Sequence, residues 1–184
     1  MNIIQIVGAA VGLIIGLVIL TFLAFNYDLA SILATGSETL SPTVPSVGRA
    51  LVVYSPGLSG AAKESASKIA GDLIVKGYSV VLAGIRSSAA GSSIDYDVVI
   101  VGGPLYWGKL SSSTGDYLGR LNLKSGAKLG VFGTTGASQF TEADFKSVSA
   151  QVSSLRGGMT PPIKLILTGE VDADCAALVS STLE

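Results

Sequence analysis

The chain has 184 residues, a net charge of −1, no histidine and one cysteine, with a mean hydropathy of +0.59. Those numbers exclude a Cys/His metal cluster, a Ser-His-Asp triad, a histidine-ligated haem and an intrachain disulfide. Nearly cancelling charge, without a Walker-type glycine loop, leaves no footprint for nucleic acid, while the high hydropathy calls for a membrane segment.

Ile3 to Phe25 supplies that segment. It carries no charge and only Gln5 as a strongly polar side chain, and at about 1.5 Å per residue it is long enough to cross a hydrocarbon core of about 30 Å. A cleaved signal peptide is disfavoured: no Lys or Arg precedes the run, the run exceeds an ordinary h-region, and no A-x-A site follows. A retained single-pass anchor is therefore expected over 3–25. The first basic residue after it, Arg49, lies too far away to orient it. Gly8, Gly12 and Gly16 recur every four residues on one face, a stripe that admits close approach of another helix, from a second copy or from a membrane complex.

Residues 26–48 read as a juxtamembrane segment and linker. Leu29, Ile32 and Leu33 have the spacing to continue the helix along the interface, and Gly36 is a stop. Gly36 to Gly48 combines prolines with hydroxyl residues and has no apolar period, as a linker lifting a domain off the bilayer would.

From Arg49 onward strand and helix signals alternate, which favours a parallel sheet covered on both sides. Ala50 to Tyr54 is the first strand, and Ala61 to Lys76 a helix with Ala62, Ala66, Ile69, Ala70 and Leu73 on one face and Gly77 at its end. Tyr78 to Ala83 is the second strand. The short polar stretch Arg86 to Ser93 predicts a loop or single turn as the next crossover. Val98 to Val101, β-branched throughout, reads as a third strand buried on both faces, ended by Gly102, Gly103 and Pro104.

A helix is expected near Ser113 to Leu121 and a fourth strand over Lys128 to Phe132, followed by Gly133-Thr134-Thr135-Gly136. Thr141 with Asp144 forms a capping box for a helix carrying Phe145, Val148, Val152 and Leu155 inward and stopping at Gly157. Ile163 to Thr168 is the fifth strand, and Asp172 can cap a closing helix. Cys175 reads as a small buried apolar side chain.

The segment Asp95 to Gly108, D-Y-D-V-V-I-V-G-G-P-L-Y-W-G, resembles the third strand and flavin-contacting loop of the flavodoxin family almost residue for residue. The opening A-L-V-V-Y-S, its small-residue loop and K-x-x-x-x-K-I-A are similar but looser, and the resemblance runs from about Arg49 to Glu184. It implies a five-stranded parallel, doubly wound α/β sheet, here preceded by one transmembrane helix, with FMN held at the carboxyl edge by three loops.

In that arrangement Ser55, Gly57, Ser59 and Gly60 wrap the phosphate at a helix N-terminus, where the dipole and unpaired donors favour an anion. Pro104, Leu105, Tyr106, Trp107 and Gly108 form the loop that sets an aromatic ring, Tyr106 or Trp107, against the isoalloxazine. Thr134, Thr135 and Gly136 match the loop on the other side. The chain departs from the family's phosphate pattern, close to S/T-x-T-G-x-T: it reads S-P-G-L-S-G-A-A, with Ala61 and Ala62 in place of hydroxyls and a proline that has no N–H.

The resemblance thus implies a membrane-anchored FMN-binding electron carrier, with the domain on the cytoplasmic face and membrane-embedded redox proteins as partners. Two alternatives stay open: a quinone-linked flavin oxidoreductase of the protoporphyrinogen-oxidase type, and a flavin-free assembly or binding subunit of a membrane complex. No metal and no nucleic acid is expected.

Overall fold

A computed structural model describes residues 2–26, 28–136, 139–167 and 169–184. The first element is α1 (Ile3–Asn26). Within it Gln5–Leu23, 19 residues of hydropathy 2.8 with none of that window buried, is long and apolar enough to cross a membrane. Side chains built at Gly8, Gly12 or Gly16 would meet nothing within 4 Å.

The expected interfacial continuation of this helix does not form. Asp28 takes a left-handed backbone (φ 45°, ψ 53°), and the apolar residues after it make a 3-10 turn, Leu29–Leu33. Aspartate is one of the few residue types that visits this region readily, so its place in the sequence fixes where the chain turns.

Nor is 36–48 a free linker throughout. Ser37–Leu40 forms β1, an antiparallel edge strand on β3 (Tyr78–Gly84), with Ser37 opposite Ala83 and Leu40 opposite Val80. A bare edge exposes unpaired N–H and C=O groups, and this short strand covers it. Leu40 also packs against the apolar layer that holds Ile69 and Leu73.

The sheet order is β1-β3-β2-β4-β6-β7, with β2 at Gly48–Tyr54, β4 at Val98–Tyr106, β6 at Lys128–Thr135 and β7 at Ile163–Leu167. Apart from β1 these strands are mutually parallel. Numbered among themselves they run 2-1-3-4-5, the doubly wound order in which the connections reverse direction between the first and third strands. Thr168, expected to end the last strand, lies outside the described residues.

Helices α2 (Ala61–Val75) and α5 (Val171–Leu183) cover one face, where Ile69, Leu73, Val52, Ile100, Phe132 and Leu178 meet. Helices α3 (Ser112–Arg120) and α4 (Glu142–Leu155) cover the other, over Leu51, Val53, Val99, Val101 and Val131. Alternate residues of one strand thus feed two cores, the reason β2 and β4 show no polar alternation. As expected, the crossover before β4 holds only short 3-10 turns, Ala89–Gly91 and Ser93–Asp95.

The Thr141–Asp144 capping box is present in both directions, with Asp144 N–H donating to Thr141 Oγ1 at 3.2 Å and Thr141 N–H to Asp144 Oδ2 at 2.9 Å. Two expectations fail here. Phe145 is 46% exposed while Val148 and Val152 are fully buried, so the inward stripe of α4 starts one turn later. Glu170, not Asp172, is the N-cap of α5; Asp172 lies in its first turn and pairs with Lys68 at 3.4 Å.

Cys175 is buried, its Sγ 3.6 Å from the Ser65 carbonyl oxygen. Burial first, then the nearby Asp72 and Asp174 carboxylates, push its thiol up to about 12. Since the thiolate is the reactive form, Cys175 should resist iodoacetamide at pH 8 in the folded chain and react only after denaturation; native labelling at the rate of a free thiol would contradict this placement.

Candidate functional site

Strands β2 and β4 lie side by side, β3 beyond one and β6 beyond the other. The crevice outside their carboxyl ends is the topological switch point, where ligands of open α/β sheets sit. β4, expected to end at Gly102–Pro104, continues to Tyr106. A Cβ at Gly102 would fall 2.3 Å from the Phe132 ring, and one at Gly103 would fall 2.3 Å from Thr114 Oγ1. The glycines therefore admit neighbours and do not mark a turn. Pro104 is tolerated because β2 has already left: the last β2–β4 pair is Tyr54 with Gly102. Its carbonyl, on the same side as its nitrogen, accepts the Ser111 N–H at 3.0 Å.

At its end β4 folds back on β5 (Lys109–Leu110), pairing Tyr106 with Lys109 and Leu105 with Leu110. The two residues between, Trp107 (φ 55°) and Gly108 (φ 72°), both have positive φ, the signature of a type I′ hairpin turn, whose first position ordinarily holds Asn, Asp or Gly. A tryptophan here is a strained choice, and its side chain is 82% exposed. With Leu17, Val18, Thr21 and Phe22 of α1 it lines an apolar groove of about 330 Å³.

The loop after β2 leans onto this strand. Ser55 N–H donates to Gly102 O at 3.0 Å. Gly57 (φ 63°) lies so close to Pro104 that a Cβ would come within 3.0 Å of its ring. Gly60 (φ 77°) caps α2, its carbonyl accepting from Lys63 and Glu64 N–H. Ser59 Oγ accepts the Ala61 N–H at 3.3 Å. Both left-handed glycines precede the helix start, where unpaired amides and the helix dipole favour an anion.

Of the expected site residues, Ser55 and Tyr106 both reach one carboxylate, that of Asp28, and Trp107 and Gly108 form the turn beyond them. Pro104 pairs with Thr134 across the strand ends. Leu105 goes elsewhere: it packs over Gly133, where a Cβ would lie 2.9 Å from its Cγ. Thr134 is buried, Thr135 half-buried and Gly136 exposed at the end of β6; the rest of that loop, Ala137 and Ser138, lies outside the described residues.

Sequence reasoning missed the residues between them. Asp28 is wholly buried, its Oδ2 accepting Ser55 Oγ–H at 2.6 Å and also the Ser113 hydroxyl. Ser113 belongs to a hydroxyl run opening α3, in which Ser111 Oγ lies 2.9 Å from Thr114 Oγ1. The Tyr106 phenol is pushed up to about 12, chiefly by burial and then by the Asp28 charge beside it, with the Leu58 N–H acting the other way. The run S-S-S-T two residues after the aromatic turn was the available signal for these hydroxyls; Asp28, the first charge after the apolar helix, was the signal for the carboxylate.

No family model matches the chain, and neither does any curated protein. Solved structures do. Oxidised flavodoxin 2 from Bacillus cereus aligns at a TM-score of 0.52 and 20% identity, covering 73% of this chain and 97% of that one. A Streptococcus pneumoniae flavodoxin aligns at 0.52 and 17%, covering 73% and 97%. The apo form of an NADH:FMN oxidoreductase aligns at 0.59 and 10%, covering 74% and 89%. At these identities the likeness concerns the backbone, and it agrees with the 2-1-3-4-5 strand order: the domain has the flavodoxin-like α/β fold.

Proposed function

We propose that the chain is a membrane-tethered flavin-binding electron-transfer protein, with FMN as the flavin and α1 as the tether. The observation that carries this reading is Trp107. An aromatic side chain held in the left-handed region and exposed at the rim of the switch-point crevice costs backbone strain and hydration, and stacking on a flat ring offsets both.

Apart from the Asp28 carboxylate that occupies it, the rest of the crevice carries features that suit the same group. The amides at Gly57–Gly60 and the start of α2 suit an anionic tail, and Thr134 to Gly136 close the other flank. Bound there, a flavin would supply one- and two-electron chemistry. The chain's residues would orient it: Trp107 against the ring, the β2 loop around the tail, Pro104 and Gly57 fixing the spacing between them.

Tethering raises the local concentration of a membrane-embedded redox partner, which replaces the electrostatic steering that a nearly neutral domain lacks. The rim hairpin lies beside the second half of α1, so the electron-passing edge is on the tether's side. The cytoplasmic face is the reading for the domain, since flavin donors are found there. The Gly8, Gly12, Gly16 stripe remains available for a helix partner.

Titrating the full chain in detergent with FMN tests this proposal. A yellow complex with quenched flavin fluorescence is expected. A protein that stays colourless and leaves FMN fluorescence unchanged overturns the reading in favour of a flavin-free assembly subunit.

A further inference from the structure

The chain just after the membrane helix does not leave the domain; it enters the crevice. Asp28 places its carboxylate between the end of β2, at Ser55, and the start of α3, at Ser113. It is completely buried, and the Tyr106 phenol lies against the same carboxylate. Its partners are hydroxyls, the donor type that an anionic ligand would use. The segment behind it is tied to the edge of β3: Arg86 N–H donates to Ala34 O at 2.9 Å and Gly84 N–H to Gly36 O at 2.9 Å. Gly84 has to be glycine for that seat, because a Cβ there would lie 2.4 Å from the Ala34 oxygen.

We propose that Asp28 is an intramolecular stand-in for the anionic group of the crevice's ligand, and that residues 28–36 form a latch which must lift from Ser55 and Ser113 for a phosphate-bearing flavin to seat. The inference rests on the flavin reading above. A buried carboxylate and a phosphate dianion cannot share one set of hydroxyl donors, since like charges in a low-dielectric site repel strongly. Because residues 28–36 join α1 to β1, lifting the latch leaves β1 on β3 as the hold on the sheet edge and lengthens the free chain between the membrane helix and the domain. Flavin occupancy and the position of the domain relative to its tether are thereby coupled, and by reciprocity a membrane partner that pulls on the segment raises flavin affinity.

The test compares FMN with riboflavin, which has the ring and lacks the phosphate, on the full chain in detergent. Asp28→Asn keeps a residue that accepts the left-handed backbone and removes the charge. Gly84→Ala unseats the segment at Ala34 without touching the crevice. Asp28→Asn should bind FMN roughly tenfold or more tightly than the unsubstituted chain, with riboflavin affinity changed by less than about threefold, and Gly84→Ala should shift FMN in the same direction. In hydrogen exchange, FMN should accelerate the Ser31 and Arg86 amides of the unsubstituted chain.

Equal FMN affinity in the unsubstituted chain and Asp28→Asn overturns the latch and leaves the flavin reading standing. Failure of every variant to bind either flavin overturns the flavin reading, and the latch with it. Should Gly84→Ala fail to fold, the Asp28→Asn comparison and the exchange measurement decide alone.

Discussion

Phe132→Ala is expected to destabilise the domain by about 3–5 kcal/mol, lowering its melting temperature by about 10 °C or more. Phe132 is among the largest fully buried side chains, at the centre of β6 under α2 and α5. Its ring lies over Gly102, where a Cβ would be 2.3 Å away. Removing the ring leaves a void walled on one side by bare backbone, held in place by the β4–β6 ladder on either side of the Gly102–Phe132 pair, so the site cannot collapse to refill it. The reverse substitution tests the same geometry. Gly102→Ala alone should cost about 1–3 kcal/mol through overpacking, yet in the Phe132→Ala background its methyl enters the void and the cost should vanish or change sign. Thermal unfolding of the four proteins gives the coupling. Strict additivity of the two single effects would show that ring and glycine do not meet.

The same pair explains what the sequence could and could not disclose. Strand-and-helix alternation from Arg49 onward was legible because each buried strand and each helical face has its own apolar period, and the Thr141–Asp144 capping box because its chemistry is local. The extent of β4 was not. Gly-Gly-Pro is the chemistry of a turn when read alone, and only the Phe132 ring, the Thr114 hydroxyl and the departure of β2 turn it into strand. Ser37–Leu40 was hidden for a related reason: four residues with a single apolar side chain carry no period, and their strand identity comes from the free edge of β3. Trp107 was legible as a rim aromatic, but its turn conformation was not. Asp28 escaped because a lone acid after an apolar helix long enough to span a membrane ordinarily lies in the headgroup zone, whereas here two serines distant in sequence draw it into the crevice.

Trp107→Gly should produce two changes of opposite sign. Glycine at the first position of a type I′ turn removes left-handed strain of roughly 1–2 kcal/mol, so the ligand-free protein should become modestly more stable despite losing an aromatic side chain, because that side chain is mostly exposed. Flavin binding should weaken, since stacking of a flat heteroaromatic on a tryptophan is worth about 1–3 kcal/mol, a loss of about fivefold to 150-fold. The loss should be the same for FMN and riboflavin, because the proposed arrangement sets Trp107 against the ring and not the tail. Asp28→Asn acts on the tail alone, so the two substitutions should combine additively for FMN, and only Trp107→Gly should change riboflavin markedly. A ligand-free protein that gains stability while keeping both flavin affinities would mean the strained turn serves the α1 groove and not a stacked ring. A protein that loses FMN alone would place Trp107 at the anionic end of the crevice, against the assignment of that end to Ser55, Gly57 and Gly60.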